Sequence, residues 1–143
     1  TAICSMAAFP SYAMETGTFA EAPAKASAVE IMPRATLYPG HDILGNNSWR
    51  STEFTASPSN GNYIRFAYTN YASEGATVSL VRTDLNTEFT VRSMLVKGGG
   101  YDHETCYGNT LSQGTYYLYI EAAESGGTVS GNVAAAQYRT NPD

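Results

Sequence analysis

From residue 29 onward, apolar and polar side chains alternate along the chain, without the spacing of three and four residues that marks an amphipathic helix. In "NYIRFAYTNY" (62–71), Ile64, Phe66 and Tyr68 fall on one face. The other alternating segments are "VEIMPRATLY" (29–38), "SWRSTEFTAS" (48–57), "ATVSLVRT" (76–83), "TEFTVRSMLVK" (87–97), "TYYLYIEAA" (115–123) and "GTVSGNVAAAQYR" (127–139). Short strands of this kind, separated by turns, predict an all-β fold, an antiparallel β-sandwich of jelly-roll type.

The alternation also predicts which side chains fill the core and which point away from it. The expected core residues are Ile64, Phe66, Val78, Leu80, Phe89, Val91, Tyr116, Leu118 and Ile120. On strand 115–123 the opposite face carries Tyr117, Tyr119 and Glu121. Two adjacent exposed aromatic rings form a small apolar patch, and such patches often mark contact sites. We therefore expect these three residues to form a protein or ligand contact surface, with Trp49 as a further candidate.

The first 28 residues lack this alternation. "TAICSMAAFPSYAMETG" is apolar and rich in small residues, and "SYA" before Met14 is typical of the end of a signal peptide. On the alternative reading, residues 1–28 are a mature arm followed by a linker of small residues. Either reading places the protein outside the cytoplasm. We expect residues 1–28 to be a signal-peptide remnant or a flexible or extended N-terminal arm, and residues 29–143 to form a single β-sandwich domain.

Composition narrows the class of protein. Of 143 residues only 15% are charged, against about 25% in a typical soluble protein, while the chain has 13 glycines and 11 tyrosines. This profile is typical of β-rich extracellular proteins. The net charge is −5, and the sequence has no run of basic residues that could neutralise phosphates. Both features argue against nucleic acid as a partner. No apolar run approaches the roughly 20 residues that span a bilayer.

The segment "LSQGTYYLYIEAAESGGTVSGNV" resembles the C-terminal hairpin of pre-peptidase C-terminal-type domains, which are secreted bacterial β-sandwiches. The resemblance covers about a quarter of the chain and implies an accessory, non-catalytic role in attachment, secretion or display. An arm ahead of a small jelly roll also resembles, in architecture alone, subunits of bacterial extracellular fibres. In such fibres the arm inserts into a neighbouring subunit.

Few residues are suited to catalysis. The densest group of titratable side chains is "YDHETC", but on a strand His103 and Cys106 point to opposite faces. His41 and Asp42, in "YPGHDILGNN", are expected in a loop, where turn chemistry explains the Asn and Gly residues. The sequence therefore predicts no catalytic site, no cofactor and no metal site.

Carbohydrate binding is the main alternative to a structural role, because aromatic rings on a jelly roll can stack on sugars. The available aromatic residues are Trp49, Tyr63, Tyr71, Tyr101, Tyr107, Tyr117 and Tyr119, with Arg50, Arg65 and Asn70 as polar neighbours. Exposed tyrosines are also common on strands for reasons of β-propensity alone. The preferred hypothesis is a self-associating, non-catalytic subunit of a bacterial surface or fibre assembly. The alternative is a secreted module that binds carbohydrate or cell wall.

The two cysteines bear on assembly. Cys4 and Cys106 are the only cysteines, in a compartment expected to be oxidising. If Cys4 is removed with a signal peptide, Cys106 remains a single thiol. If the arm is mature, the two can form a disulfide within one chain or between neighbours. Extended, the arm would reach roughly 80 Å, far enough to contact another subunit. We therefore expect a homo-oligomer formed through the N-terminal arm.

Overall fold

Nine strands and two single-turn 3₁₀-helices form the part of the chain that the computed structural model describes, residues 35–143. The strands are β1 (Ala35–Asn46), β2 (Ser48–Arg50), β3 (Phe54–Thr55), β4 (Tyr63–Asn70), β5 (Ala76–Arg82), β6 (Phe89–Val96), β7 (Tyr101–Tyr107), β8 (Thr115–Ala122) and β9 (Thr128–Tyr138). The 3₁₀-helices are Pro58–Asn60 and Leu111–Gln113. The expected N-terminal arm, Cys4 and the start of the first predicted strand lie outside the described residues.

The strands form two antiparallel sheets. Sheet 1 has the order β1-β9-β4-β7, and sheet 2 has the order β2-β8-β5-β6, with β3 also paired to β8. Along the chain, the strands pass repeatedly from one sheet to the other, so that neighbours within a sheet are mostly distant in sequence. This is the connectivity of a jelly roll. The predicted fold class is confirmed.

The core lies between the sheets and follows the predicted alternation on the central strands. The fully buried side chains include Ile64, Phe66 and Tyr68 of β4, Val78 and Leu80 of β5, and Tyr116, Leu118 and Ile120 of β8. The Tyr116 hydroxyl donates a hydrogen bond to the Leu111 carbonyl at 2.6 Å. The ring therefore fills the core while its one polar group is satisfied.

The predicted faces of β6 are wrong. Leu80 pairs with Arg92 and Val81 pairs with Thr90, so Val91 is an extra residue in a β-bulge. The bulge interrupts the alternation. Phe89 is 44% exposed and Val91 only partly buried, and Met94 and Val96 are the β6 side chains buried in the core.

Two predicted boundaries also change. His41 and Asp42 lie inside β1, not in a loop. The register with β9 shifts on either side of Tyr38, which accommodates Pro39 and Gly40, and the pairing continues from His41 onward. The predicted strand 48–57 is divided into β2 and β3. Between them, the Ser51 hydroxyl accepts a hydrogen bond from the amide of Leu118 at 2.8 Å, beside the backbone bond between these residues.

A buried amide joins the two sheets at one end. Asn70, 1% exposed at the end of β4 in sheet 1, donates to the carbonyls of Glu74, Val96 and Lys97 at 2.9, 3.1 and 3.2 Å. Its carbonyl oxygen accepts the amide of Ala72 at 3.0 Å. Asn70 therefore ties the β4–β5 loop to the end of β6 in sheet 2, and it is not available as a surface ligand.

Candidate functional site

The predicted tyrosine pair lies on the outer face of sheet 2, as expected, but Tyr117 is not exposed. The guanidinium of Arg50 lies 3.7 Å from the centre of the Tyr117 ring, and the Tyr117 hydroxyl donates to Glu88 at 3.0 Å. Burial, followed by the bond to Glu88, raises the pKa of Tyr117. Only 8% of Tyr117 is exposed, while Tyr119 is half-buried. The pair therefore offers little free ring surface on which a sugar can stack.

The other two predicted contact residues, Glu121 and Trp49, lie on opposite faces of sheet 2. Glu121 is exposed on the same outer face, opposite Ser48 and Thr77. Trp49 pairs with Ile120, whose side chain is in the core, and so faces the inside of the sandwich. The Trp49 ring packs edge-on against Tyr38 at 6.1 Å. Trp49 therefore closes the side of the core between β1 and β2 and does not join the tyrosine surface.

A shallow cleft of 270 Å³ crosses the outer face of sheet 2. It is lined by Ser79, Val81, Glu88, Phe89, Thr90, Tyr117 and Tyr119. The hydroxyls of Ser79 and Ser93 bond each other at 2.8 Å beside it. Because Glu88 is already bonded to Tyr117, the cleft has few free polar groups.

The outer face of sheet 1 carries a second aromatic surface, in which Tyr107 is 64% exposed, Tyr63 is partly buried and Tyr138 is 9% exposed. Tyr63 of β4 lies directly opposite Tyr138 of β9 on one side and Tyr107 of β7 on the other, and we name these three residues the tyrosine row. The rings of Tyr63 and Tyr107 lie 4.7 Å apart. Three of the aromatic and polar residues proposed for sugar binding, Tyr63, Tyr107 and Arg65, therefore lie together here.

Next to the tyrosine row runs a trough of 330 Å³, which crosses the strands of sheet 1. Its floor consists of small side chains: Ala67 pairs with Ala134, and Ala136 lies opposite Arg65. Tyr101 and Arg65 line it toward β7, while Thr36 and Gly40 line it toward β1. Beyond its β7 end stand His103, opposite Ala67, and Thr105, opposite Arg65.

A carboxylate sits beside this end of the trough. The Asp143 Oδ1 atom lies 4.0 Å from the Arg65 Nε atom and 3.7 Å from the His103 Nδ1 atom. The buried Nδ1 of His103 and the buried Oγ1 of Thr105 have no hydrogen-bond partner in the described part of the chain. The sequence suggests Arg65 as a polar neighbour but does not group it with His103 and Asp143. The pairing of β4 with β7 places Arg65 and His103 on adjacent strands, and Asp143, beyond the end of β9, lies beside both.

The "YDHETC" segment forms β7, an edge strand, and its faces separate as predicted. Cys106 points into the core opposite Ile64, while His103 points outward. Burial raises the pKa of the Cys106 thiol to about 11, so the thiol is protonated at neutral pH. Residues 35–143 contain no disulfide, no group of three side chains suited to a metal ion, and no helix of the length and hydropathy that a bilayer span requires. Pairing of Cys106 with Cys4 stays a prediction.

Exposed hydrophobic side chains concentrate on one side of the sandwich. The large ones exposed among residues 35–143 are Leu44, Tyr71, Leu85, Phe89, Leu95, Tyr101 and Tyr107. Four of them lie on β6 and β7, the edge strands that meet at one side. Phe89 and Leu95 lie on the sheet 2 face of this edge, and Tyr101 and Tyr107 lie on its sheet 1 face. Leu85 lies in the loop before β6. We name this surface, with Arg92, Lys97, Asp102 and Glu104, the β6–β7 side. Arg92 and Glu104 form an ion pair of 3.0 Å between the two strands.

These edge strands carry features that discourage uncontrolled strand pairing. β6 has the bulge at Val91, and β7 places Asp102 and Glu104 on its inward side, opposite Tyr68 and Phe66. Bulges and inward-pointing charges are known ways of protecting sheet edges. Contacts at the β6–β7 side are therefore expected to use side chains more than free backbone groups.

No protein-family model and no curated protein matches the sequence. The resemblance to pre-peptidase C-terminal-type domains accordingly stays a prediction. Solved structures are similar to this chain at low identity. The crystal structure of PirA is 13% identical, with a TM-score of 0.46, covering 69% of this chain and 93% of that one. A xylan-binding domain from CBM 22 is 16% identical, with a TM-score of 0.43, covering 82% and 92%.

A third similar structure comes from Bacillus endospore appendages, described as a novel family of disulfide-linked pili. It is 11% identical, with a TM-score of 0.36, and covers 72% of this chain and 90% of that one. At these values the functions of these proteins do not transfer to this chain.

Proposed function

We propose that this protein is a non-catalytic extracellular structural subunit that self-associates through the β6–β7 side. The observation that carries the proposal is the concentration of exposed hydrophobic side chains there, led by Leu95, which is 65% exposed on an edge strand. Exposed apolar groups that cluster on one surface often mark contact sites. Burying a side chain of this size stabilises a contact by about 1.5–3 kcal/mol.

The charges of the β6–β7 side suit a second copy of the same chain. Lys97, just after β6, supplies positive charge and Asp102 on β7 supplies negative charge, while Arg92 and Glu104 are paired with each other at 3.0 Å. In a two-fold symmetric contact the same surface serves both subunits, so a surface with both signs can be complementary to itself. As part of the same proposal, residues 1–28 act as an arm that contacts a neighbouring subunit.

Two exposed leucines on edge strands provide a matched test. Leu95 lies on β6, and Leu44 lies on β1 at an edge of the other sheet with 73% exposure. We expect sedimentation velocity over a range of concentrations to show association of the wild type. Leu95→Lys should shift the protein toward monomer, because it places a charge in the apolar contact, whereas Leu44→Lys should associate like the wild type.

Thermal unfolding of both variants controls for damage to the fold, since neither leucine is in the core. The proposal is wrong if the wild type is monomeric at every concentration. It is equally wrong if the two lysine variants associate to the same extent.

A further inference from the structure

The carboxylate of Asp143 is held weakly by two side chains from neighbouring strands of sheet 1. At 4.0 and 3.7 Å, its distances to Arg65 Nε and His103 Nδ1 exceed those of hydrogen bonds. The Arg65 and Asp143 side chains are both partly exposed, at 26% and 44%. An ion pair of this kind contributes little to stability. The Asp143 carboxylate is therefore exchangeable for another carboxylate that fits better.

Polar groups next to this carboxylate lack partners. His103 Nδ1 and Thr105 Oγ1 are shielded from solvent, and neither has a hydrogen-bond partner in residues 35–143. Buried polar groups are normally satisfied, and leaving one unpaired costs about 1–3 kcal/mol. A ligand that brings a carboxylate and hydroxyl groups to this point would satisfy both atoms.

The surroundings favour a sugar as the carrier of that carboxylate. The alanine floor of the trough lets a flat ring lie close to the sheet, and Tyr101 and the tyrosine row border it. The trough crosses several strands and is open, which suits a chain passing over the surface. Arginine is suited to carboxylates because its planar guanidinium can donate two parallel hydrogen bonds.

We propose that the outer face of sheet 1 binds an acidic polysaccharide built from uronic acid units. A carboxylate of the sugar takes the place of Asp143 between Arg65 and His103, a sugar hydroxyl bonds Thr105 Oγ1, and the ring lies on the alanine floor. In the free protein, Asp143 occupies the position of the ligand carboxylate and competes with it. Leu95 is not part of this site, but Tyr101 and Tyr107 border it and also belong to the β6–β7 side, so binding is measured on Leu95→Lys as well as on the wild type.

Calorimetric titration with three probes tests the proposal: short oligomers of galacturonic acid, the corresponding neutral galactose oligomers, and polyglutamate. We expect binding of the acidic sugar to be roughly tenfold tighter than that of the neutral sugar or polyglutamate, a difference of about 1.4 kcal/mol. Arg65→Gln and His103→Gln should each weaken binding of the acidic sugar by about tenfold.

Asp143→Asn gives the sharpest readout, because removing the competing carboxylate should tighten binding of the acidic sugar several-fold. A residue with only a structural role would weaken binding or leave it unchanged. Arg50→Gln, which removes an arginine from the other sheet, should bind like the wild type, and Leu95→Lys should bind at least as tightly, because the association it weakens would cover Tyr101. Thermal unfolding confirms that each variant is folded.

Three results would overturn the proposal. The first is that neither the wild type nor Asp143→Asn binds the acidic sugar. The second is equal binding of polyglutamate or neutral sugar, which would mean that the site does not select an acidic sugar. The third is weaker or unchanged binding by Asp143→Asn.

Discussion

Replacing Asn70 with aspartate changes almost nothing in shape but removes the two amide hydrogens that join the sheets. In the native protein, that NH₂ group faces the carbonyl oxygens of Glu74, Val96 and Lys97. An ionised aspartate would place a negative charge against these oxygens in a site that is 1% exposed. The fold must then remove this donor from the carbonyls of Glu74 and Val96 or protonate the new carboxyl group, while the Lys97 carbonyl keeps the Gly100 amide at 3.0 Å.

The cost follows from the number of bonds lost. Each buried group left without a partner costs about 1–3 kcal/mol, so two lost donors give roughly 2–6 kcal/mol, with a further contribution from the charge. That is a large part of the roughly 5–15 kcal/mol that stabilises a typical domain. For a domain of this size it corresponds to a fall in Tm of about 10–30 °C.

Urea unfolding of wild type and Asn70→Asp at several pH values measures the effect. Burial raises the pKa of such a carboxyl group above its unfolded value of about 3.9. The variant should therefore be least destabilised below about pH 4 and lose stability as the pH rises through the raised pKa. Asn62→Asp is the matched control, because Asn62 donates one long bond of 3.3 Å to Asn109 at an exposed site. A loss below about 0.5 kcal/mol in Asn70→Asp, or a loss equal to that of the control, would refute this account.

Three further outcomes are expected. Leu118→Ala should lower the free energy of unfolding by about 2–5 kcal/mol in urea titrations, because Leu118 is fully buried; a loss under about 0.5 kcal/mol would mean that the strand faces are inverted. The hydrogen bond from Arg82, followed by that from the Thr115 amide, lowers the pKa of Asp84 to about 2. Wild type should therefore lose stability as the pH falls from about 4 to 2, and Asp84→Asn should lose less over that range. Mass-spectrometric mapping should find Cys106 slow to react with a thiol reagent at pH 8 in the native protein and fast in urea, because it is 2% exposed with a pKa of about 11; rapid native labelling would contradict this.

The sequence alone determined the class of fold and the inward faces of the central strands. Alternation in β4 and β8 predicts Ile64, Phe66, Leu118 and Ile120 as core residues, and all four are fully buried. The same alternation places Tyr117 outside the core. These features are predictable because side-chain direction along one strand depends only on the local backbone, which has a period of two residues.

The tertiary structure alone decided how the strands are aligned and what covers each face. The pairing of β6 with β5 places Met94 opposite Val78 and Val96 opposite Ala76 in the core and adds the bulge at Val91, which no pattern within β6 indicates. Arg50 and Glu88 come from distant segments to cover Tyr117.

Register also assembles both proposed surfaces. Arg65, His103 and Asp143 are 38 or more positions apart in the sequence, and the pairing of β4 with β7 places the first two on adjacent strands. The β6–β7 side likewise joins edge strands of different sheets. The physical reason is that cross-strand neighbours are chosen by long-range hydrogen bonding and core packing, which act only once the whole sandwich has formed.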